Sequence, residues 1–170
     1  MDKLLIVSCS LFFVADIFAM ASILNPMWII SRDSDFPDKM QLGLVSQCVT
    51  VFGRDTVCSS PTLSSEWIMT LIFIICAIIC LTATCCLLLL SERRAKALFY
   101  ARLFGFIAMI CMCLAAIIFP IGFYIDEIGG KPYRLPGSVR VGSSYVIFSL
   151  AIVLTVISEL FAEKVCQPIF

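Results

Sequence analysis

The chain has 170 residues, 61% of them hydrophobic and 14% charged, with a mean hydropathy of +1.06 and a formal net charge of zero. Soluble domains are about 45–50% apolar and about 25% charged, so a core of this size would leave apolar surface that only lipid can solvate. The zero balance excludes an electrostatic nucleic-acid binder, and the lack of any histidine removes the commonest general base and metal ligand.

Four apolar runs, 4–24, 67–90, 103–125 and 143–162, are long enough to cross a hydrocarbon core of about 30 Å, which takes about 20 helical residues. They show no alternating polar face of the kind a barrel strand needs, so they read as helices. The expected fold is an all-α membrane protein: one four-helix domain over residues 1–170. Loops 25–66 and 126–142 would lie outside the cell and loop 91–102 inside. The first run carries Lys3 ahead of it and a small-residue site at Ala19-Met20-Ala21, the marks of a signal peptide. It is longer than the usual apolar region of such a peptide and Asp16 interrupts it, so a retained helix is expected.

The segment 25–66 holds Trp28, then Gly43-Leu44-Val45, then Cys48 and Cys58. Residues 42–52 are rich in strand formers, Phe52-Gly53-Arg54-Asp55 reads as a turn, and Thr56-Val57-Cys58 as a return strand. Such a hairpin brings Cys48 and Cys58 within bridging reach, and closing a loop of this length is worth about 3 kcal/mol. The spacing is wider than a redox C-x-x-C pair, which points to a structural disulfide on the oxidising side of the membrane. Asn25 precedes a proline, so no N-glycosylation acceptor exists.

Loop 91–102 packs Arg93, Arg94, Lys96 and Arg102 into a short stretch, whereas 25–66 carries Arg32, Lys39 and Arg54 among five acids. The positive-inside bias is counted over short flanking loops, so the basic loop and both termini are expected in the cytoplasm. In the second outside loop Gly129-Gly130, Pro132, Pro136 and Gly137 dictate tight turns. It is too short for its own core and is expected to fold onto the first loop and add an edge strand. Its Tyr133, Arg134 and Arg140 read as solvated, with a partner surface as the alternative.

Inside the runs, Asp16 sits near the middle of the first, where a charge costs about 2.5–3.5 kcal/mol. No lysine or arginine lies within any run, so Asp16 is either uncharged or faces hydroxyls such as Thr82, Thr84 or Thr155. Helix–helix glue is the plain reading and a protonatable site the sharper one. Glu159 lies closer to the inner surface, within expected reach of water. Ala15-x-x-x-Ala19 and Ala101-x-x-x-Gly105 allow close helix approach and should pack the chain's own bundle. Cys9, Cys76, Cys80, Cys85, Cys86, Cys111 and Cys113 read as small hydrophobes. Cys85, Cys86 and Cys166 lie toward the cytoplasmic face and are palmitoylation candidates.

Trp28, Gly43-Leu44, Cys48 and Cys58 in a first outside loop, with four helices and a short basic inner loop, resemble the claudin-type tetraspan superfamily. Val45 stands where that superfamily has a tryptophan, which argues against a claudin-style barrier. The resemblance to the modulator of Smoothened, or attenuator of Hedgehog, family is closer and covers nearly the whole chain. It runs through Ala15-Asp16-Ile17-Phe18-Ala19, Gly53-Arg54-Asp55, Glu66-Trp67 and Tyr100-Ala101-Arg102, and ends at Lys164-Val165-Cys166. Its most specific stretches are Ile118–Tyr124 (IFPIGFY) and Val141–Val146 (VGSSYV). The resemblance implies a claudin-like bundle with a small disulfide-stapled outer sheet. It also implies a negative regulator of Hedgehog signalling that lowers Smoothened at the plasma membrane and primary cilium. The implied partners are a single-span protein with multiple EGF-like domains and a mahogunin-type RING ubiquitin ligase.

The reading is therefore a non-enzymatic membrane adaptor with membrane lipids around it and no cofactor or metal. The alternatives are a structural protein of cell contacts and an auxiliary subunit of a channel or receptor. No nucleophile–base pairing or matched pair of acids suggests an enzyme.

Overall fold

The computed structural model describes residues 3–31, 39–50, 55–61, 64–91, 95–124 and 128–166. Four long helices dominate: α1 (Lys3–Leu24), α2 (Ser65–Ser91), α3 (Ala95–Ile118) and α4 (Ser143–Cys166). Each is long and apolar enough to cross a membrane. Five short strands, β1 (Ile29–Ser31), β2 (Lys39–Leu42), β3 (Gln47–Thr50), β4 (Thr56–Ser59) and β5 (Val139–Val141), form one antiparallel sheet in the order β4-β3-β2-β1-β5.

The helices face one another through an unusual choice of residues. On α2 the buried stripe includes Trp67, Thr70, Ile74, Ala77, Leu81, Thr84 and Leu88, alternating steps of three and four. On α4 it is Ser144, Phe148, Ala151, Thr155, Ser158 and Ala162, with the same alternation. That is the 3.5-residue period of left-handed coiled packing. Small and hydroxyl side chains fill much of it, while Ile72, Ile79, Leu89, Val153 and Leu160 point outward and are exposed. Small residues let backbones approach, and interhelical hydroxyl bonds add to the packing. Ser8 on α1 donates to the Ser158 carbonyl of α4 at 3.0 Å, and Thr84 on α2 to the Ala101 carbonyl of α3 at 3.4 Å. Ala15, Ala19, Ala101 and Gly105, the small pairs seen in the sequence, are all buried in this chain's own bundle.

Helix α1 packs chiefly along α4, and α2 along α3; the α3–α4 seam is the most sparsely packed of the four. The sheet sits at one end of the bundle, where α1 ends and α2 and α4 begin.

Three expectations need correction. The basic stretch 91–102 is not a loop throughout: α2 runs to Ser91 and α3 is already helical at Ala95. Ala95, Lys96, Ala97 and Leu98 are strong helix formers, and a hydropathy threshold stops at charges that a helix tolerates. Arg93 and Arg94 lie outside the described residues. At its other end the third run leaves the α-helix at Ile118 and continues as a 3-10 helix, Phe119–Tyr124, because Pro120 has no amide hydrogen to continue the ladder. Finally, 42–52 is not one strand. Leu42 ends β2, Gly43–Ser46 turn back with the Gly43 amide donating to the Ser46 carbonyl at 3.0 Å, and β3 begins at Gln47. The turn expected at Phe52-Gly53-Arg54 lies outside the described residues.

Candidate functional site

The residues singled out in the sequence converge where the sheet meets the bundle. Trp28, just past α1, is 1% exposed, and its indole N–H donates to the Ser22 carbonyl at 2.6 Å. Its ring meets Phe119 at 4.8 Å, Phe148 at 5.5 Å and Tyr145 at 5.8 Å. Trp67, at the start of α2, stacks on the other side of Phe119 at 5.5 Å and donates from its indole to the Phe119 carbonyl at 3.3 Å. All four helices thus end on one aromatic hub centred on Phe119. Aromatic pairs at these distances add about 0.5–1.5 kcal/mol each beyond their burial.

The two sequence stretches that looked most specific build this hub. Within IFPIGFY, a side chain on Gly122 would overlap the Trp67 indole, so only glycine lets the 3-10 helix seat against it. Phe123 closes on Phe119 edge-on at 5.4 Å. Within VGSSYV, Val141 pairs with Ile29 in the sheet. A side chain on Gly142 would run into the Met27 carbonyl, and the Gly142 amide donates to the Trp28 carbonyl at 2.8 Å. The Ser144 amide and hydroxyl donate to the Met27 and Asn25 carbonyls, both at 3.0 Å, and Tyr145 stacks on Phe119 at 5.4 Å. The motif is a clamp that ties β1 to the first turn of α4.

Gly43 and Leu44 are buried, Gly43 beside Pro26 and Leu44 in the core, while Val45 stands exposed at the turn. Cys48 and Cys58 lie directly opposite each other on β3 and β4, with their Cα atoms 4.1 Å apart, and form a disulfide. Every residue of β4 is exposed. This edge strand buries almost nothing of its own, so the disulfide and the β3 ladder hold it in place.

The second loop supplies the opposite edge strand, β5, as its composition suggested, but it is anchored on α3 and the 3-10 helix as well. The Tyr133 amide donates to the Pro120 carbonyl at 2.9 Å and its hydroxyl to the Ile117 carbonyl at 3.1 Å. Tyr133 is therefore an anchor, though its ring remains exposed. It adopts a φ of 60°, and Gly129 a φ of 67°; the first is a left-handed conformation that a bulky residue holds only when its surroundings fix it. Arg134 forms an isolated bridge with Lys131, and Arg140 pairs across from Ile30.

Each intramembrane acid keeps one buried oxygen without a hydrogen-bond partner among the described residues, Asp16 Oδ1 and Glu159 Oε1. Asp16 is 5% exposed on the buried stripe of α1, and the Thr82 hydroxyl of α2 donates to its Oδ2 at 2.8 Å. Of the three threonines weighed as partners, Thr84 is paired with the Cys80 and Ala101 carbonyls and Thr155 with the Ala151 carbonyl, not with Asp16. Glu159 is half-buried, and its Oε1 is buried without a hydrogen-bond partner among the described residues. Across the seam from it stands Arg102, a residue that sequence reading assigned to the inner loop. Carrying the helical spacing from Gly105 back through Ala101 would have placed Arg102 on α3. Cys86 is exposed on α2 and Cys85 is half-buried; the Cys166 side chain lies outside the described residues.

Among known families, the attenuator of Hedgehog family matches residues 25–168 of this chain. The match begins three residues before Trp28 and takes in the sheet, the hub and helices α2 to α4. The chain belongs to the attenuator of Hedgehog family, and that membership supports a role in attenuating Hedgehog signalling.

Proposed function

We propose that the chain is a non-enzymatic membrane adaptor that attenuates Hedgehog signalling by lowering Smoothened at the cell surface and the primary cilium. It does so beside a single-span protein with multiple EGF-like domains and a mahogunin-type RING ubiquitin ligase. The observation that carries this reading is the family match over 144 residues, from the sheet through α4. The mechanism is one of effective concentration: contacts through the sheet and helices hold the receptor near the ligase.

Membrane placement is supported by the many large apolar side chains that the helices turn outward, Ile72, Ile79, Leu89, Val153 and Leu160 among them. Exposed apolar surface on that scale needs lipid or a partner to cover it. The sheet end faces outside in this proposal, since a disulfide persists on the oxidising side. Both termini are then cytoplasmic, with Lys96, Arg102 and Lys164 toward the inner surface. Kinship with the claudin-type superfamily belongs to the same proposal, supported by Trp28, Gly43-Leu44 and the Cys48–Cys58 pair meeting on one small sheet.

The test is biotin labelling of surface Smoothened in cells lacking the protein, with and without its re-expression. Loss should raise surface Smoothened, and re-expression should reverse the rise. No change in either direction sinks the Smoothened assignment while leaving the family membership intact.

A further inference from the structure

At the end of the bundle away from the sheet, the loosely packed α3–α4 seam opens into a groove of about 490 Å³. Each helix presents one face to it, Phe99, Arg102, Phe106 and Met109 from α3 and Val156, Glu159 and Glu163 from α4, at helical spacings of three and four. Arg102 and Glu159 lie at one depth, each about 10 Å from the nearest end of its helix at 1.5 Å per residue. Counting the roughly 20 residues of a hydrocarbon span back from Tyr124 places Arg102 at the headgroup boundary. Toward the sheet the walls are apolar, with Leu103, Phe106 and Met109 from α3 and Val156 from α4, and Leu160 adds apolar surface beside Glu159.

Two polar atoms at the charged level are unsatisfied. Glu159 Oε1 and Arg102 Nε are buried, and neither has a hydrogen-bond partner among the described residues. Those two atoms are closed off from the groove, Glu159 Oε1 lying against Gly105; the rest of the guanidinium and of the carboxylate line it, and a ligand there meets a hydrogen-bond donor on α3 and an acceptor on α4. Gly105 keeps that carboxylate in position: a side chain there would overlap Glu159 Oε1. Among the described residues, the charged ones lining the groove are one cation, Arg102, and two anions, Glu159 and Glu163.

We propose that this groove is a binding site for phosphatidylethanolamine, with the phosphate on Arg102, the primary ammonium on Glu159 and an acyl chain along the apolar walls. Phosphatidylcholine matches the charges, but its quaternary ammonium has no N–H to donate to the Glu159 carboxylate. Anionic headgroups without an amine bring no cation to the two carboxylates. A partner's transmembrane helix fits less well, because close helix approach needs small residues and these walls carry Phe106, Met109 and Leu160. The proposal rests on the membrane placement given above.

The test uses the full chain in nanodiscs holding phosphatidylethanolamine, phosphatidylcholine and phosphatidylglycerol in equal amounts with identical acyl chains. Lipids retained after stepwise delipidation are counted by native mass spectrometry. Wild type should hold phosphatidylethanolamine over phosphatidylcholine by about tenfold, the discrimination carried by one charge-assisted hydrogen bond. Glu159→Gln should bring the two lipids level, and Gly105→Ala, which keeps the charge but displaces it, should weaken the preference as well. A melting temperature measured in detergent without lipid confirms that each variant is folded. Equal retention by wild type, or an undiminished preference in folded Glu159→Gln, overturns the proposal. So does a photo-crosslinker at Phe106 that captures polypeptide instead of lipid in cell membranes. Release of the chain from membranes by alkaline carbonate would overturn the membrane placement too, whereas firm retention with equal lipid binding overturns the groove assignment alone.

Discussion

The two ends of the bundle are built on opposite principles. At the sheet end, Trp28, Trp67, Phe119, Phe148 and Tyr145 interlock, both indole N–H groups have carbonyl partners, and a disulfide closes the outermost hairpin. At the other end, the sparsely packed α3–α4 seam opens into a groove lined by Arg102, Glu159 and Glu163. Satisfied polar atoms and dense aromatic packing give a rigid platform for presenting a surface. A loosely packed seam that opens a groove between charged groups marks a place where something else completes the structure.

Breaking the sheet end should therefore cost most. Trp28→Ala removes the ring that touches Phe119, Tyr145 and Phe148 and leaves a cavity among three elements. We expect a loss of about 3–5 kcal/mol, read as a large drop in melting temperature in detergent and poor delivery to the cell surface. A variant that melts like wild type would show that the hub is not the keystone of this end. Cys48→Ser comes next, at about 3 kcal/mol. Because β4 is wholly exposed, the effect should be local: protease cuts appear between β3 and β4 while the helices stay protected, and Hedgehog attenuation is lost. A Cys48→Ser protein with normal traffic and full activity would refute the need for the staple.

Smaller changes sharpen the contrast. Gly122→Ala forces a methyl group into the Trp67 indole and should cost about 1–3 kcal/mol, visible as a shift in tryptophan fluorescence together with the melting temperature. An unchanged spectrum would mean the 3-10 helix can move aside. The smallest effect belongs to the bundle middle, where Thr82→Val removes the hydroxyl donated to Asp16. Interhelical hydrogen bonds in membranes average about 0.6 kcal/mol, so stability should barely change. A loss several times larger would give Asp16 a structural weight that one hydrogen bond does not explain.

How much of this was legible beforehand divides along the same line. The four helices could be read from hydropathy, because in lipid a long apolar run has little choice but to satisfy its own backbone as a helix. The Cys48–Cys58 bridge could be read as well, since two strand segments flanking a glycine turn bring cysteines opposite each other. The faces of those helices could not be read from apolar periodicity, because nearly every position is apolar and no stripe stands out. The informative signal was the small and hydroxyl residues, Ser144, Ala151, Thr155, Ser158 and Ala162 on α4, whose three-four spacing marks the buried side. Strand β1 and the break after Leu42 were equally hidden, as strands of three or four residues depend on neighbours that only the fold supplies.

The sequence by itself determined the elements and their chemistry: apolar helices, a stapled hairpin, and glycines and aromatics in two distinctive stretches. Only the tertiary structure decided that those stretches, separate in the chain, form one hub around Phe119, and that Arg102 and Glu159 face one groove. The reason is physical. Helix formation is set by local composition and the solvent around it, whereas which side chains meet depends on packing between segments that no local pattern encodes.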